Sequence, residues 1–377
     1  MREFVLTGSY YEMGKQYGQY CRKDIKLFTK AIQMMTALSE HPGADFFSPK
    51  YRYLPSALFF FFKNRKRYRA QARESTDNIK RYYPEGLEML TGMAEGARVH
   101  FDDLLFLNVV AETSFRCTAI AATGSETITG EPILAMNADE HKGTEKYEIM
   151  LELQPDTGYR YKVASLAGCL YYNFGMNEKG LTLTGEFLWL NIDPTVKNRM
   201  PMLLAFSILN RCATVDDAKE LLESLPNFGV GTAVYVGDSE KFLRMESNIL
   251  DREIEVVEEG VRWNANNPQS RTMIPYSKID TMDEATTLFS GNRNKRLEHF
   301  TEKYGGQFDP DAMHTIISDH GDPNDETHMR SMCMHPKHTN GAQTCASIIA
   351  MPRQKRFRIY ETNPCLNKMK VYGFQKG

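Results

Sequence analysis

Between Tyr10 and Leu38 apolar residues recur three and four positions apart, which predicts a long amphipathic helix. Gly14 and Gly18 fall four apart on one face of it, where a neighbouring element can approach closely. A second helical pattern runs from about Phe59 to Tyr83 and stops at Pro84, a residue suited to the first position of the next helix. The stretches PEGLEMLTGMAEGARV and HFDDLLFLNVVAE continue the same spacing, so residues 1–116 read as mostly helix. At Cys117 the pattern changes. CTAIAAT, PILAMNAD, YEIMLELQP, YRYKVASL, LYYNFGMN and GLTLTGEFLW are short, β-rich and separated by Gly, Asn and Asp turns. Helices are expected again over about 199–212 and 215–224, the second opened by Thr214 with Asp216 and Asp217 in its first turn. TAVYVGD, KFLRMES and REIEVVEEGVRWN read as strands, 282–304 and 310–319 as helices, and TCASIIAMP, RFRIYETN and KVYGF as closing strands. Runs of strands alternating with runs of helices predict a layered α+β domain.

Composition narrows the function only by exclusion. The chain has 377 residues, 42% hydrophobic and 25% charged, as in an ordinary folded protein. A net charge of −2 gives no basis for nucleic-acid binding. The basic run Lys63–Arg69 follows Leu58–Phe62, an apolar run too short to span a membrane, and reads as a solvated helix face beside a buried aromatic cluster. The N-terminus lacks the apolar core of a signal peptide, and seven cysteines without a C-x-x-C pair suit free thiols in a reducing compartment. A cytoplasmic location is therefore expected.

Among chemistry-bearing residues, metal ligands come first. The segment SDHGDPNDETHMRSMCMHPKHTNGAQTC holds His320, Asp322, His328, Cys333, His335, His338 and Cys345. Structural zinc sites usually show tight paired spacings, and here only His335-x-x-His338 qualifies. Its Pro, Asn, Asp and Gly content reads as a polar surface loop, and no metal is expected. No G-x-S-x-G elbow or phosphate-binding glycine loop occurs, so no cofactor is expected either. That leaves a cysteine nucleophile. Any one buried cysteine is usually inert packing, but Cys117 opens a predicted strand at the helix-to-sheet switch. It is followed by Asn137 and Asp139, and then by YNFGMNEKGLTLTGEF, GVRWNANNP and SGNRNKR at strand ends and turns.

In that order these segments resemble the cysteine branch of the N-terminal-nucleophile hydrolases, specifically the isopenicillin N acyltransferase family. Penicillin V acylase and conjugated bile acid hydrolase are more distant relatives. CTAIAATGSETITGEPILAMNAD resembles that family's C-T-x-x followed by G-x-N-x-D, EEGVRWNANNP its strand ending in T-N-H, and SGNRNKRLEHF its S-x-x-R-x-x-R-L. GSYYEMGKQYGQ resembles the opening helix, GMNEKGLTLTG the bile acid hydrolase wording, and SDHGD through ETNPC the closing segment. The resemblance implies an αββα sandwich and self-cleavage before Cys117. Residues 1–116 would form a helical chain and 117–377 a catalytic chain, together one structural domain.

It further implies that Cys117 is the nucleophile and that Asp139 holds its freed amine. Asn266 would donate to the oxyanion, a role that passes to Asn264 if the register slips by two. Arg293 or Arg296 would order Asp139 or the substrate. The reaction implied is hydrolysis or acyl transfer at a linear amide of a small N-acyl compound through a thioester, with acyl-CoA as the donor in a transfer. Two residues depart from the pattern: Arg116 stands where the acyltransferase group has Gly, and Met136 where bile acid hydrolases have Arg. Arg116 keeps open the alternative of an unprocessed, inactive member that binds an acylated ligand.

Overall fold

Two sheets organise the chain, and in the computed structural model they are described over residues 1–39, 54–109, 116–170, 174–193, 207–282, 284–324, 331–337 and 342–374. The eight-stranded sheet runs β1 (Arg2–Gly8), β4 (Glu148–Pro155), β5 (Tyr161–Leu166), β6 (Phe174–Asn177), β7 (Thr182–Phe187), β8 (Thr232–Gly237), β9 (Phe242–Ser247), β10 (Arg252–Val257). The six-stranded sheet runs β11 (Gly260–Asn264), β2 (Arg116–Thr123), β3 (Ile133–His141), β12 (Ala342–Met351), β13 (Arg356–Glu361), β14 (Met369–Gly373). Neighbours pair antiparallel except β1, which pairs parallel with β4.

The two-residue alternation of β2 and β3 supplies two cores. Cys117, Ala119, Ala121, Leu134 and Met136 face the other sheet and pack in one cluster with its inward-facing Phe174 and Tyr235. Ile120, Ala122, Ile133 and Ala135 face outward and pack with Leu297, Met313 and Ile316. These last lie on two helices, Glu284–Tyr304 and Pro310–Ile317, that cover the six-stranded sheet. Helices α1 (Tyr10–Tyr20), α2 (Arg22–Ser39), α3 (Leu54–Arg73), α4 (Thr76–Tyr82), α5 (Pro84–Ala97) and α6 (Phe101–Val109) precede β2, and α1 covers β1 and β4. In chain order α7 is Val215–Ser224, α8 is Glu284–Tyr304 and α9 is Pro310–Ile317. The layering is the expected αββα sandwich.

Gly14 and Gly18 do what their spacing suggests. A Cβ on Gly14 would lie 2.1 Å from the Met89 carbonyl oxygen, and one on Gly92 of α5 would lie 2.0 Å from that of Tyr11. Only glycines let these two helix backbones touch. On the same helix, the Tyr17 hydroxyl bonds the Leu166 carbonyl and the Gly168 amide, each at 2.9 Å.

Four readings are corrected. The single helix over 10–38 is two, divided at Cys21. The first eight residues hold a strand, β1, that the helical reading of 1–116 left out. REIEVVEEGVRWN is two strands in different sheets, parted by a turn at residues 258–259, after which Gly260 opens β11 with φ +120°. Phe59 and Phe62 are exposed, while Arg65 and Arg69 of the basic run pair with Asp103. Part of the helix expected over 199–212 lies outside the described residues, and 207–211 is helical. Among the described residues no helix is long and apolar enough to cross a membrane.

Candidate active site

Cys117 is the second residue of β2, opposite Ala138 of β3, and is fully buried between the sheets. Strand β11 runs antiparallel to β2 with Asn264 opposite Ala119. Two residues further on the chain turns, and Asn266 sits in the left-handed region with φ +65°, which Asn tolerates better than most residues. The turn is held from both sides: the Asn266 amide donates to Glu186 at 3.1 Å, and its carbonyl accepts from the Trp189 amide at 2.8 Å. This brings the Asn266 side chain to Cys117. Its Oδ1 accepts from the Cys117 amide at 3.3 Å and from Arg293 at 2.8 Å, and its Nδ2 donates to the Phe187 carbonyl at 2.7 Å. Two donors on one side and an acceptor on the other fix the amide's orientation.

Arg293, from α8, ties the cluster together. Its Nη1 donates to the Cys117 carbonyl and to Thr118 Oγ1, and its Nη2 to the Ala265 carbonyl and Asn266 Oδ1. The guanidinium lies 4.2 Å from the centre of the Phe289 ring and is fully buried. A buried cation needs compensation, and Asp139 and Glu186 supply it.

Burial dominates the acid–base behaviour of the whole group. It pushes the Cys117 thiol well above its usual range, and the Glu186, Asp139 and Glu140 carboxylates push it further while Arg293 opposes them. Burial also pushes Asp139 up to about 7, against the pull of Arg293, of the Thr344 hydroxyl and of Arg116. Glu186 is pushed well above the usual carboxylate range by the same desolvation. Asp139 Oδ2 and Glu186 Oε2 are buried without a hydrogen-bond partner, so each carboxyl is only half satisfied.

Asp139 therefore carries a linkage whose sign can be tested. Its folded value exceeds the unfolded one, so its contribution is fully present below about pH 4 and is lost as the pH rises through about 7. Asp139→Asn keeps an oxygen for Thr344 but has nothing to titrate. Melting curves should show wild type losing stability relative to the variant from pH 4 to 7, by at most about 1.4 kcal/mol per pH unit. If wild type instead gains on the variant over that range, Asp139 is an ionised partner of Arg293.

Of the residues singled out by sequence, Cys117, Asn266 and Arg293 meet directly. Asp139 stands beside them but accepts from Thr344 Oγ1 at 2.6 Å; in the continuous chain the Cys117 nitrogen bonds Asn266. Arg296 does not belong to the cluster: it holds Asp319 at 2.7 and 3.1 Å over the Phe300 ring. Asn264 is fastened to Glu246 at 2.6 Å and to the Asn267 carbonyl at 2.9 Å. Asn137 braces the Ile317 and Met332 carbonyls at 2.8 and 2.9 Å. Glu186 was not singled out; a lone acid in the buried strand TLTGEF is the signal that could have found it. Arg116 is buried with its guanidinium 5.3 Å from the Trp189 ring centre, beside the nucleophile.

Residues 127–365 match the family model of acyl-coenzyme A:6-aminopenicillanic acid acyl-transferase. The match takes in Asp139, Glu186, Asn266 and Arg293 but begins after Cys117. A search of curated proteins finds no significant match. Among solved structures, penicillin V acylase from Agrobacterium tumefaciens is similar at 17% identity over 65% of this chain and 83% of that one, with a TM-score of 0.41. A Caenorhabditis elegans ortholog of N-acylethanolamine-hydrolyzing acid amidase is similar at 13% identity over 69% of this chain and 100% of that one, with a TM-score of 0.43. A mutant of conjugated bile acid hydrolase from Clostridium perfringens is similar at 13% identity over 69% of this chain and 97% of that one, with a TM-score of 0.36. The family match covers well over half of the chain. The chain belongs to the acyl-coenzyme A:6-aminopenicillanic acid acyl-transferase family.

Proposed function

We propose that the protein cuts itself between Arg116 and Cys117 and then acts as an amidase or acyltransferase on a small N-acyl compound through a thioester on Cys117. The observation that carries this reading is the convergence of Asn266 and Arg293 on the backbone of one buried cysteine at a strand start. In the continuous chain the thiol attacks the Arg116 carbonyl. Its proton passes to a carboxylate, for which Asp139 has a value near neutrality, and on to the Cys117 nitrogen as the C–N bond breaks. Water then opens the resulting thioester, leaving a carboxylate on Arg116 and a free amine and thiol on Cys117. The products are the helical chain 1–116 and the catalytic chain 117–377.

The freed α-amine, with a reference pKa of about 7.7–8.0, becomes the base for its own thiol, so no histidine is required. Asn266 Oδ1 and Asp139 would hold that amine. Asn266 Nδ2 carries two protons, and Phe187 takes one; the other is assigned to the oxyanion. Thioester formation expels the substrate amine with a proton from the Cys117 ammonium. Water completes hydrolysis, whereas an amine acceptor completes transfer; with acyl-CoA as the donor that the family's name suggests, the group expelled on forming the Cys117 thioester is the coenzyme A thiol.

The test is a panel of N-acyl amino acids, acyl amines and penicillins. Amine should be released in a burst, with the acyl mass left on the peptide containing Cys117. Asn266→Ala should lower kcat by about a hundredfold or more with a smaller change in KM. Acyl mass on another cysteine sinks the reading. Panel members that bind without reacting would instead favour the inactive, acyl-ligand-binding alternative.

A further inference from the structure

A second group of reactive side chains lies outside the Cys117 site. His320 follows α9, Cys333 and His335 stand in the segment 331–337, and Cys365 lies in the short turn Pro364–Leu366. Their donor atoms all lie within 4.8 Å of one another. His335 Nε2 is 3.1 Å from His320 Nε2, 3.6 Å from Cys333 Sγ and 3.4 Å from Cys365 Sγ. We infer that these four residues form a closed tetrahedral site for a zinc ion.

The distances carry the argument. Zinc bonds of about 2.05 Å to nitrogen and 2.3 Å to sulfur, at tetrahedral angles, set the ligand edges at about 3.3 Å for N···N and about 3.55 Å for N···S. The three edges that meet at His335 match those of such a tetrahedron to within roughly 0.3 Å. Two thiolates and two imidazoles in this geometry select zinc over the harder cations. Four protein ligands leave no open position, which makes the site structural. Binding displaces one proton from each thiol into solvent.

The surroundings suit a metal-bound thiolate. Asn363 Nδ2 lies 3.5 Å from Cys333 Sγ, and the Cys365 backbone also hydrogen-bonds that sulfur. The turn bearing Cys365 is steadied by His314, which contacts the Pro364 carbonyl at 3.1 Å and stacks on Tyr360. Cys333 is buried while the other three ligands are half-buried, so an ion has a route in. The reading of this segment as a plain polar loop is revised accordingly. Of the other candidate ligands in the segment, Asp322 is exposed, Cys345 lies in β12, and His328 and His338 fall outside the described residues. Cys365 lies 20 residues beyond the end of that segment.

The site has a consequence one residue away. The Met332 carbonyl accepts from Asn137, and the Met334 amide donates to Thr344 Oγ1 at 2.9 Å. The ion would thus pin the segment that aims Thr344 at Asp139.

Protein purified without chelator should contain about one zinc per chain by mass-spectrometric metal analysis. Cobalt(II) exchanged into it should give the visible bands of a tetrahedral ion with thiolate charge transfer. Chelation should lower the melting temperature, and zinc should restore it. Cys365→Ser and His335→Ala should each hold well under half the zinc of wild type, while Cys345→Ser keeps its full share. Cys365 is half-buried in a short turn outside the sheets, so its variant separates loss of metal from loss of fold. Wild type without metal overturns the inference, whether both thiols are free or the chain is two hydrogens lighter through a Cys333–Cys365 disulfide. Full zinc content in Cys365→Ser overturns it as well.

Discussion

Cys117→Ala is expected to remain one chain of 43.2 kDa, whereas wild type should resolve on a denaturing gel into fragments ending at Arg116 and beginning at Cys117. Turnover in the variant should fall to background. The substitution isolates chemistry from folding because the bonds that fasten this residue use its backbone. Asn266 takes its amide and Arg293 its carbonyl, and neither partner needs the sulfur. Removing one buried sulfur leaves a small cavity at most, so the variant should still fold and melt cooperatively. Wild type that stays intact through long incubation would falsify self-cleavage. Cleavage that persists in the variant would assign it to another group.

Arg293→Ala is expected to have the largest effect on stability, about 3–5 kcal/mol in urea unfolding, because a fully buried charge disappears from between its partners. Asp139 and Glu186 lose the cation that compensates them, and the Ala265 and Cys117 carbonyls lose their donor. Arg293→Lys should recover little. An ammonium keeps the charge but cannot reach four acceptors at once as the planar fork does. A loss below about 1 kcal/mol in Arg293→Ala would mean that water enters and screens the cluster.

The sandwich was legible because its cause is local. A change from a three-to-four period to a two-residue period at Cys117 is written in the chain itself, and the glycine pair on α1 is written in its spacing. β1 was not legible, since its partner strand lies some 150 residues on and a single parallel edge strand has no turn signal of its own. The break between β10 and β11 was hidden by an alternation that runs straight through it. Asn264 and Asn266 could not be told apart because residues two apart share a face of a strand. Only the left-handed turn at Asn266, closed by Glu186 and Trp189, chooses between them. Arg293 and Arg296 are similarly close on one helix, and the choice is made by Asp319, which holds Arg296 elsewhere. The four-ligand cluster was invisible because spacing along the chain says nothing of a cysteine 30 residues away in a separate turn.

The parallel pairing of β1 with β4 has a further consequence if the chain is cut before Cys117. Residues 2–8 would stay woven into a sheet built otherwise from the other fragment, with Tyr17 anchored to the loop after β5. Two separate molecules would then share one fold that only a single molecule had assembled. The intact precursor finds this arrangement at an effective concentration set by its own tether, and the cut enzyme has no such tether. Once unfolded, the two pieces would have to meet by diffusion, and the outer strand and its helix would return late or not at all. The mature protein would be durable rather than renewable, its lifetime set by how rarely it opens.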